Sequence, residues 1–203
     1  MVDHYFSEKP TSPATLSSVS VTLADTPLTL ETSSGTFSAG GLDRGTEILL
    51  KRAPAPPVEG VFVDVGCGWG PLALSLALHS PQATIYAVDI NERARELTRR
   101  NAASAGVDAL QVLSPEDFPD GLAIDLIWSN PPIRIGKEAL HALLTLWLNR
   151  LAPHGEAWLV VAKQLGADSL QRWLNEGGAG PFHCDRESTD KGYRVLRVSR
   201  IEG

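Results

Sequence analysis

The stretch VFVDVGCGWGPLALSLA, residues 61–77, places three glycines between an apolar run and the start of a helical pattern. Gly66, Gly68 and Gly70 allow a tight turn and let a ligand lie against bare backbone, so the stretch predicts a nucleotide-like ligand. The dinucleotide fingerprint G-x-G-x-x-G needs its third glycine at position 71, where this chain has proline. The spacing therefore argues against NAD.

Short apolar runs alternate with helical periodicity from residue 61 onward. The predicted strands cover residues 61–65, 84–89, 110–113, 124–129, 156–162 and 193–199, and the predicted helices cover 71–79, 92–105, 137–150 and 167–175. The third helix has one apolar face, formed by Leu140, Leu143, Leu144, Trp147 and Leu151. This alternation predicts an α/β, Rossmann-like fold with a mostly parallel, doubly wound sheet, whose ligand lies beyond the carboxyl ends of the strands.

The first 58 residues follow a different pattern. Residues 1–18 are rich in Ser, Thr and Pro, which predicts a flexible arm. Residues 19–23 and 28–32 alternate apolar with polar side chains around a DTP turn, which predicts a β-hairpin within a cap segment, 19–58. We expect residues 59–203 to form the ligand-binding core of what is one domain overall.

Composition narrows the class of protein. The chain has 203 residues, 43% of them hydrophobic, and a net charge of -6, which argues against binding nucleic acid by bulk charge but allows a local basic face. Cys67 and Cys184 are too few for a disulfide framework or a four-ligand zinc site, so we expect no metal and a reducing compartment. No apolar run reaches the ~20 residues of a membrane span. We therefore expect a cytoplasmic protein without membrane contact.

Two further strand ends carry polar groups. Asp89 ends the second predicted strand, where a carboxylate can accept hydrogen bonds from both hydroxyls of a ribose. The alternative is that the glycines only make a turn and that Asp89 or Asn91 only caps the next helix. SNPPIRIGK, residues 129–137, follows the fourth strand; the Asn130 carbonyl and a main-chain carbonyl can accept both N–H bonds of a planar amino group. The alternative is a rigid loop made by the two prolines.

The chain resembles a known family in seven stretches that occur in order: HYFSEKP, GTFSAGGLDRGTEILL, DVGCGWG, VDIN, SNPPIRIGK, AWLVVAKQLG and KGYRVLRV. They are similar to the small-domain family of class I S-adenosylmethionine (SAM) methyltransferases, which includes small-subunit ribosomal RNA guanine-N2 methyltransferases. The resemblance implies SAM as methyl donor and a guanine amino group as acceptor. It implies ribosomal RNA or the small ribosomal subunit as partner of a chain that we expect to be monomeric.

The resemblance also implies roles for particular residues. The donor is expected to contact Asp64, Gly66, Cys67, Gly68, Gly70, Asp89, Ile90, Asn130 and, at the adenine amino group, either Glu116 or Asp117. The catalytic loop is expected to comprise Asn130, Pro131, Pro132 and Ile133. Because a second, RNA-binding copy of the domain has no room in 203 residues, RNA contact is expected at the hairpin region, at Phe37 and at local cations, namely Arg134, Lys137, Lys163, Lys191 and Arg194.

Ile133 departs from the family pattern, in which Phe or Tyr often follows the prolines and stacks on the flipped base. The loss of this stacking is either tolerated or made good by another residue such as Phe37, Trp69 or Trp128. The departure also weakens the alternative of a release-factor glutamine N5-methyltransferase, whose pattern favours Tyr at this position. A non-catalytic SAM-binding protein and a nicotinamide oxidoreductase are the remaining alternatives.

Overall fold

The structure is a computed structural model that describes residues 16–33 and 41–201. The strands are β1 (Leu16–Leu23), β2 (Thr26–Ser33), β3 (Val61–Val65), β4 (Thr84–Val88), β5 (Gln111–Leu113), β6 (Ile124–Ser129), β7 (Leu151–Ala162), β8 (Phe182–Asp190) and β9 (Tyr193–Arg200). The helices are α1 (Arg44–Arg52), α2 (Pro71–His79), α3 (Glu92–Ser104), α4 (Lys137–Leu148) and α5 (Ala167–Asn175). Within the described ranges, no helix is both long and apolar enough to cross a bilayer.

The central sheet has seven strands in the order β5-β4-β3-β6-β7-β9-β8. Strands β3 to β7 are parallel, and β9 runs antiparallel between β7 and β8. The predicted Rossmann-like α/β fold is confirmed. Because β3 pairs with β4 on one side and with β6 on the other, the winding reverses at β3, and the carboxyl ends of these three strands form the edge where a ligand is expected.

Helices cover both faces of the sheet because the strand residues alternate between two apolar clusters. Phe62 packs with residues of α1 and α2, including Leu49 and Leu76. Its neighbour Val63 packs on the other face with residues of α4 and α5, including Leu144. The apolar runs that predicted buried strands thus form two cores, one on each side of the sheet.

Helix α4 ends earlier than its apolar spacing indicates. Leu151, which was predicted to be the last apolar residue of this helix, is the first residue of β7 instead. The helix ends at Leu148, and the side-chain amide of Asn149 donates to the Thr145 carbonyl oxygen at 2.7 Å. Leu151 is nevertheless buried in the same cluster as Leu144, which explains why its position fitted a helical pattern.

Two elements of the structure were not predicted. Helix α1 begins after Asp43, whose Oδ2 accepts hydrogen bonds from the backbone N–H groups of Gly45 and Thr46, at 2.8 and 3.2 Å. Strand β8 lies at the edge of the sheet, where Phe182 and Cys184 are its buried residues. A mostly polar edge strand lacks the apolar alternation that sequence reading depends on.

The N-terminal hairpin is present, with corrected bounds and a corrected turn. Strand β1 begins at Leu16, before the expected start at residue 19, and residues 1–15 of the predicted arm lie outside the described ranges. The turn consists of Ala24 and Asp25, with φ of 47° and 60°, rather than of the DTP triplet. Two left-handed residues form the type I′ connection that matches the twist of paired strands, so Thr26 and Pro27 belong to β2.

The hairpin is fastened beside the glycine loop through Asn101 of α3. The Asn101 side chain accepts from the Glu31 N–H at 2.7 Å and donates to the carbonyl oxygens of Glu31 and Trp69, at 2.9 and 2.8 Å. Leu23 and Leu30 pack in the same cluster as Trp69. The hairpin therefore supports the loop from the side of α3.

Candidate functional site

The glycine loop between β3 and α2 is held against the end of β4 by its backbone. The N–H groups of Gly66 and Cys67 both donate to the Val88 carbonyl oxygen, at 2.8 and 3.0 Å. Gly66, Gly68 and Gly70 have φ of 79°, 59° and 95°, which is the left-handed region that glycine adopts without strain. The conformation of the loop therefore explains all three glycines.

Asp64, at the end of β3, is a buried carboxylate with one unsatisfied oxygen. Its Oδ2 accepts from the Ala73 N–H in the first turn of α2 at 2.9 Å. Its Oδ1 is buried and, among the described residues, has no hydrogen-bond partner. Burial raises the pKa of Asp64 to about 8, and the nearby Asp89 carboxylate also raises it. A positively charged N–H group of a ligand would provide the hydrogen-bond partner that Oδ1 lacks among these residues.

Asp89 follows β4 and ties two loops together. Its Oδ2 accepts from the Gly68 N–H at 2.9 Å and its Oδ1 accepts from the Asn91 N–H at 2.8 Å. Arg95 of α3 fastens the same segment, because its Nη1 donates to the carbonyl oxygens of Asp89 and Ile90, at 2.7 and 2.8 Å. Burial raises the pKa of Asp89, whereas its two backbone hydrogen bonds and Arg95 lower it. Each carboxylate oxygen keeps a lone pair for a ligand hydroxyl.

Two cavities meet at the glycine loop. The smaller, about 20 Å³, is lined by Asp64, the glycine loop, Asn130 and the first residues of α1. The larger, about 460 Å³, extends from Gly66 and Asp89 past Ile90 to α4. The larger volume lies within the usual range of ligand pockets. A ligand with a small charged end and a nucleoside end matches this pair of cavities.

Asn130 follows β6 and its side chain is held in one orientation. The Asn130 Nδ2 donates to Asp43 Oδ2 at 2.7 Å and to Thr46 Oγ1 at 3.1 Å. Because a carboxylate only accepts hydrogen bonds, Asp43 selects the orientation with Nδ2 toward α1. The Asn130 carbonyl oxygen is thereby left as the atom available to a ligand.

The two prolines continue the loop at the sheet edge. Pro131 is buried, and its carbonyl oxygen accepts from the Ile133 N–H at 2.8 Å, which leaves a second lone pair. Pro132 lines the larger cavity. The end of β6 is fixed to β3 because the Ser129 hydroxyl donates to the Val65 carbonyl oxygen at 2.6 Å. Asn130 therefore lines the smaller cavity and Pro132 the larger one, with Pro131 between them in the chain.

The other residues that were predicted to contact the methyl donor lie at the margins of the site. The Cys67 side chain is buried, and burial raises the pKa of its thiol well above the ordinary value. A ligand in the cavity would therefore contact the backbone of Cys67 rather than its thiol. Ile90 is 50% exposed at the mouth of the larger cavity. Glu116 and Asp117 are exposed, and Asp117 Oδ2 accepts from the Ser114 hydroxyl at 2.6 Å. The choice between these acids as the adenine contact stays a prediction.

The predicted substrate contacts fall into three groups. The exposed cations are Arg134, Lys137, Lys163 and Lys191. Arg194 was expected among them, but it is 8% exposed and its Nε lies 3.3 Å from Asp168 Oδ1, so this prediction is wrong. Trp69 and Trp128 are each 2% exposed within apolar clusters, which leaves neither ring open for a base to stack on, and Trp69 also belongs to the lining of the smaller cavity. Phe37 lies outside the described residues.

Sequence reasoning missed Asp43, Thr46, Arg95 and Tyr193 as neighbours of the site. The signal for Asp43 was an Asp five positions ahead of the apolar pair Ile48 and Leu49, because Asp is a common helix N-cap residue. Arg95 and Thr46 carried no comparable signal, because their partners depend on how α3 and α1 pack.

Comparisons with known proteins place the chain in a family. The family model for the Methyltransferase small domain matches residues 27–197. The chain is 37% identical over 204 residues to the uncharacterized protein YbxB of Bacillus subtilis (strain 168), covering 99% of this chain and 100% of YbxB. It is 33% identical over 186 residues to ribosomal RNA small subunit methyltransferase C of Pseudomonas entomophila (strain L48), covering 88% of this chain and 53% of that protein.

Among solved structures, the fold is similar to that of the 16S rRNA N2 methyltransferase RsmC of T. thermophilus, in complex with AdoMet and guanosine. The TM-score is 0.78 and the identity 23%, with 95% of this chain and 52% of that chain covered. The chain thus spans all of YbxB and about half the length of these two methyltransferases. Because the family model covers most of the chain, this protein is a member of the Methyltransferase small domain family.

Proposed function

We propose that this chain transfers the methyl group of SAM to the exocyclic N2 amino group of a guanine in small-subunit ribosomal RNA, in the cytoplasm. The observation that carries the proposal is the fixed Asn130 side chain, whose carbonyl oxygen faces away from α1 beside the glycine loop. The names of the related small-subunit methyltransferases, and the AdoMet and guanosine bound in the T. thermophilus structure, support the choice of donor and acceptor.

The residues present fit the donor. The unsatisfied Asp64 Oδ1 is an acceptor for the donor's ammonium group in the smaller cavity. Asp89 accepts hydrogen bonds from the ribose hydroxyls, and the larger cavity accommodates the nucleoside. When bound, the donor supplies an electrophilic methyl group on a sulfonium.

Asn130 and Pro131 orient the acceptor. The Asn130 side-chain carbonyl and the Pro131 main-chain carbonyl accept the two N–H bonds of the amino group and direct the nitrogen toward the methyl carbon. The amino nitrogen is conjugated to the guanine ring, so polarising both N–H bonds frees its lone pair. As the nitrogen forms the new N–C bond, the bond between the methyl carbon and sulfur breaks and its electron pair stays on sulfur, which leaves S-adenosylhomocysteine as product. The nitrogen gives up one proton to water.

Asp43 acts through Asn130 and is a positioning residue. If the Asn130 amide turned by half a revolution, its Nδ2 would point at the acceptor and its oxygen at the Asp43 carboxylate, which would repel it. The contact with Asp43 therefore keeps the accepting atom toward the acceptor before the substrate arrives.

Binding of the methyl donor should release close to one proton between about pH 6 and 7.5. The free protein holds a proton on Asp64, since the pKa of this carboxyl is about 8, and the arriving ammonium group favours the ionised form. Calorimetry in two buffers of different ionisation enthalpy measures the released proton. Asp64→Asn should bind the donor more weakly and release none.

The dependence of the protein's stability on pH is an independent test of the raised pKa of Asp64. In the donor-free protein the raised pKa of Asp64 stabilises the fold at low pH, and this contribution is lost as the pH rises from the ordinary Asp range through about 8. Asp64→Asn should flatten this part of the stability curve. A wild-type protein without proton release on donor binding would contradict the proposed ammonium contact.

The experiment that tests the function is transfer of labelled methyl from SAM to three acceptors: assembled small ribosomal subunits, stripped ribosomal RNA and release-factor protein. Label recovered as N2-methylguanosine supports the proposal and shows which assembly state is the substrate. Label recovered only on protein glutamine replaces the proposal with the glutamine N5 alternative. Donor binding without transfer to any of the three contradicts the proposed acceptor and favours a non-catalytic SAM-binding protein.

A further inference from the structure

Tyr193 lies at the same edge of the sheet as Asn130. It is the first residue of β9 and pairs with Ala162, the last residue of β7, while Asn130 follows the neighbouring strand β6. A Cβ atom built on Gly45 would be 3.1 Å from Asn130 Nδ2 and 3.2 Å from Tyr193 Cε1. The edge of the Tyr193 ring is therefore a close neighbour of the Asn130 amide.

Tyr193 and Ile133 lie on opposite sides of the sheet. Tyr193 packs against the cluster that contains Ile48 of α1, which is the side on which α1 holds Asn130. Ile133 packs against the cluster that contains Leu140 of α4. Ile133, the residue after the prolines, thus packs on the α4 side of the sheet, and Tyr193 is an aromatic residue on the α1 side.

The Tyr193 ring is partly exposed, unlike the other tyrosine that the structure describes. Tyr86 is 6% exposed and packs edge-on against Phe118 with a centroid distance of 5.0 Å. For Tyr193, the described residues provide neither an aromatic partner nor a hydrogen bond to its hydroxyl. Tyr193 is therefore a partly exposed aromatic residue near Asn130.

We infer that Tyr193 provides the aromatic contact for the acceptor base, in place of the missing aromatic residue at position 133. The inference rests on the proposed function, because it takes the acceptor to be a nucleobase. The Tyr193 ring edge lies near Asn130 Nδ2, and the carbonyl oxygen that accepts the amino group belongs to the same small amide, so a base held at this oxygen lies within reach of the Tyr193 ring. An aromatic ring can stack on any of the bases, so it does not select among them. The selectivity for a base with an amino group would come from Asn130.

The surroundings of Tyr193 suit a nucleic-acid strand. Lys163 follows the strand partner of Tyr193, and its N–H donates to the Gly192 carbonyl oxygen at 2.8 Å. The Lys163 and Lys191 side chains are both exposed at this end of the β8–β9 hairpin. Two exposed cations close in the chain or in the sheet to a partly exposed ring can provide phosphate contacts for a strand whose base stacks there.

Nuclear magnetic resonance of the wild-type protein tests the contact without a substitution. The chain has three tyrosines, so selective ¹³C labelling of tyrosine gives few ring signals, and Tyr193→Phe identifies the one from Tyr193. With S-adenosylhomocysteine bound, addition of a short guanine-containing RNA that the enzyme methylates should shift the Tyr193 signal through the ring current of the base. The buried Tyr86 signal is the internal control and should stay in place.

Two substitutions separate the ring from its packing. Tyr193→Leu keeps an apolar side chain against the α1 cluster and should raise the acceptor KM about 5- to 150-fold, with donor affinity and kcat little changed. Tyr193→Phe keeps the ring and should behave as the wild type. Equal acceptor KM values for the Leu variant and the wild type, or an unshifted Tyr193 signal with an RNA that is methylated, would overturn the inference. Absence of methyl transfer to any guanine in the wild type would instead overturn the proposed function.

Discussion

Replacing Asn130 by Ala should lower kcat about 10²- to 10³-fold while the affinity for the methyl donor changes by no more than about threefold. The large effect is expected because, in the proposed mechanism, Asn130 provides one of the two carbonyl oxygens that accept the N–H bonds of the acceptor. The donor contacts proposed for Asp64 and Asp89 are unaffected, since neither carboxylate hydrogen-bonds with Asn130. Single-turnover methyl transfer and donor calorimetry measure the two effects separately.

A variant of Asp43 provides the matched control. Asp43→Ser keeps a side-chain oxygen that caps α1 but is too short to hold the Asn130 amide, so we expect kcat to fall with little loss of stability. Asp43→Ala removes both the cap and the contact and should lower kcat and the melting temperature together. If Asn130→Ala weakened donor binding and left single-turnover transfer unchanged, the role assigned to Asn130 would be wrong.

The residues at the carboxyl ends of the parallel strands could be predicted from the sequence, because their position depends only on where each strand ends. Parallel strands end at one edge of a sheet, so a carboxylate or amide that follows a predicted strand is placed there without knowledge of the packing. This argument placed Asp89 and Asn130 at the edge of the sheet, and β3 and β6 have the predicted bounds. The two cores follow from the same alternation of apolar residues.

What the sequence did not reveal depends on contacts between distant parts of the chain. Asp43 and Asn130 are 87 positions apart, and no spacing rule joins a helix cap to a loop at that separation. Tyr193 reads as an ordinary strand aromatic until the packing of α1 brings Gly45 between it and Asn130. The polar edge strand β8 was missed because an edge strand buries few side chains.

Replacing Asp89 by Ala should raise the Kd for S-adenosylhomocysteine about 100-fold, since the variant loses the two hydrogen bonds that we propose between the ribose hydroxyls and this carboxylate. The same change removes the acceptor of the Gly68 and Asn91 N–H groups, so the glycine loop loses a tie as well. At a saturating concentration of SAM, the Asp89→Ala variant should recover most of the wild-type kcat, because the residues proposed to hold the acceptor are intact. Calorimetry with the product, below the melting temperature of the variant, measures the loss directly.

Asp125 offers a control for the structural part of this effect. Asp125 belongs to β6, and its Oδ2 accepts from the Val61 N–H at 2.8 Å, so it too holds backbone through a carboxylate. Val61 is the first residue of β3, at the opposite end of the strand from the glycine loop. Asp125→Ala should cost some stability and leave product affinity unchanged. A comparable loss of product affinity in both variants would mean that any loosening of β3 weakens binding, and the direct ribose contact of Asp89 would have to be abandoned.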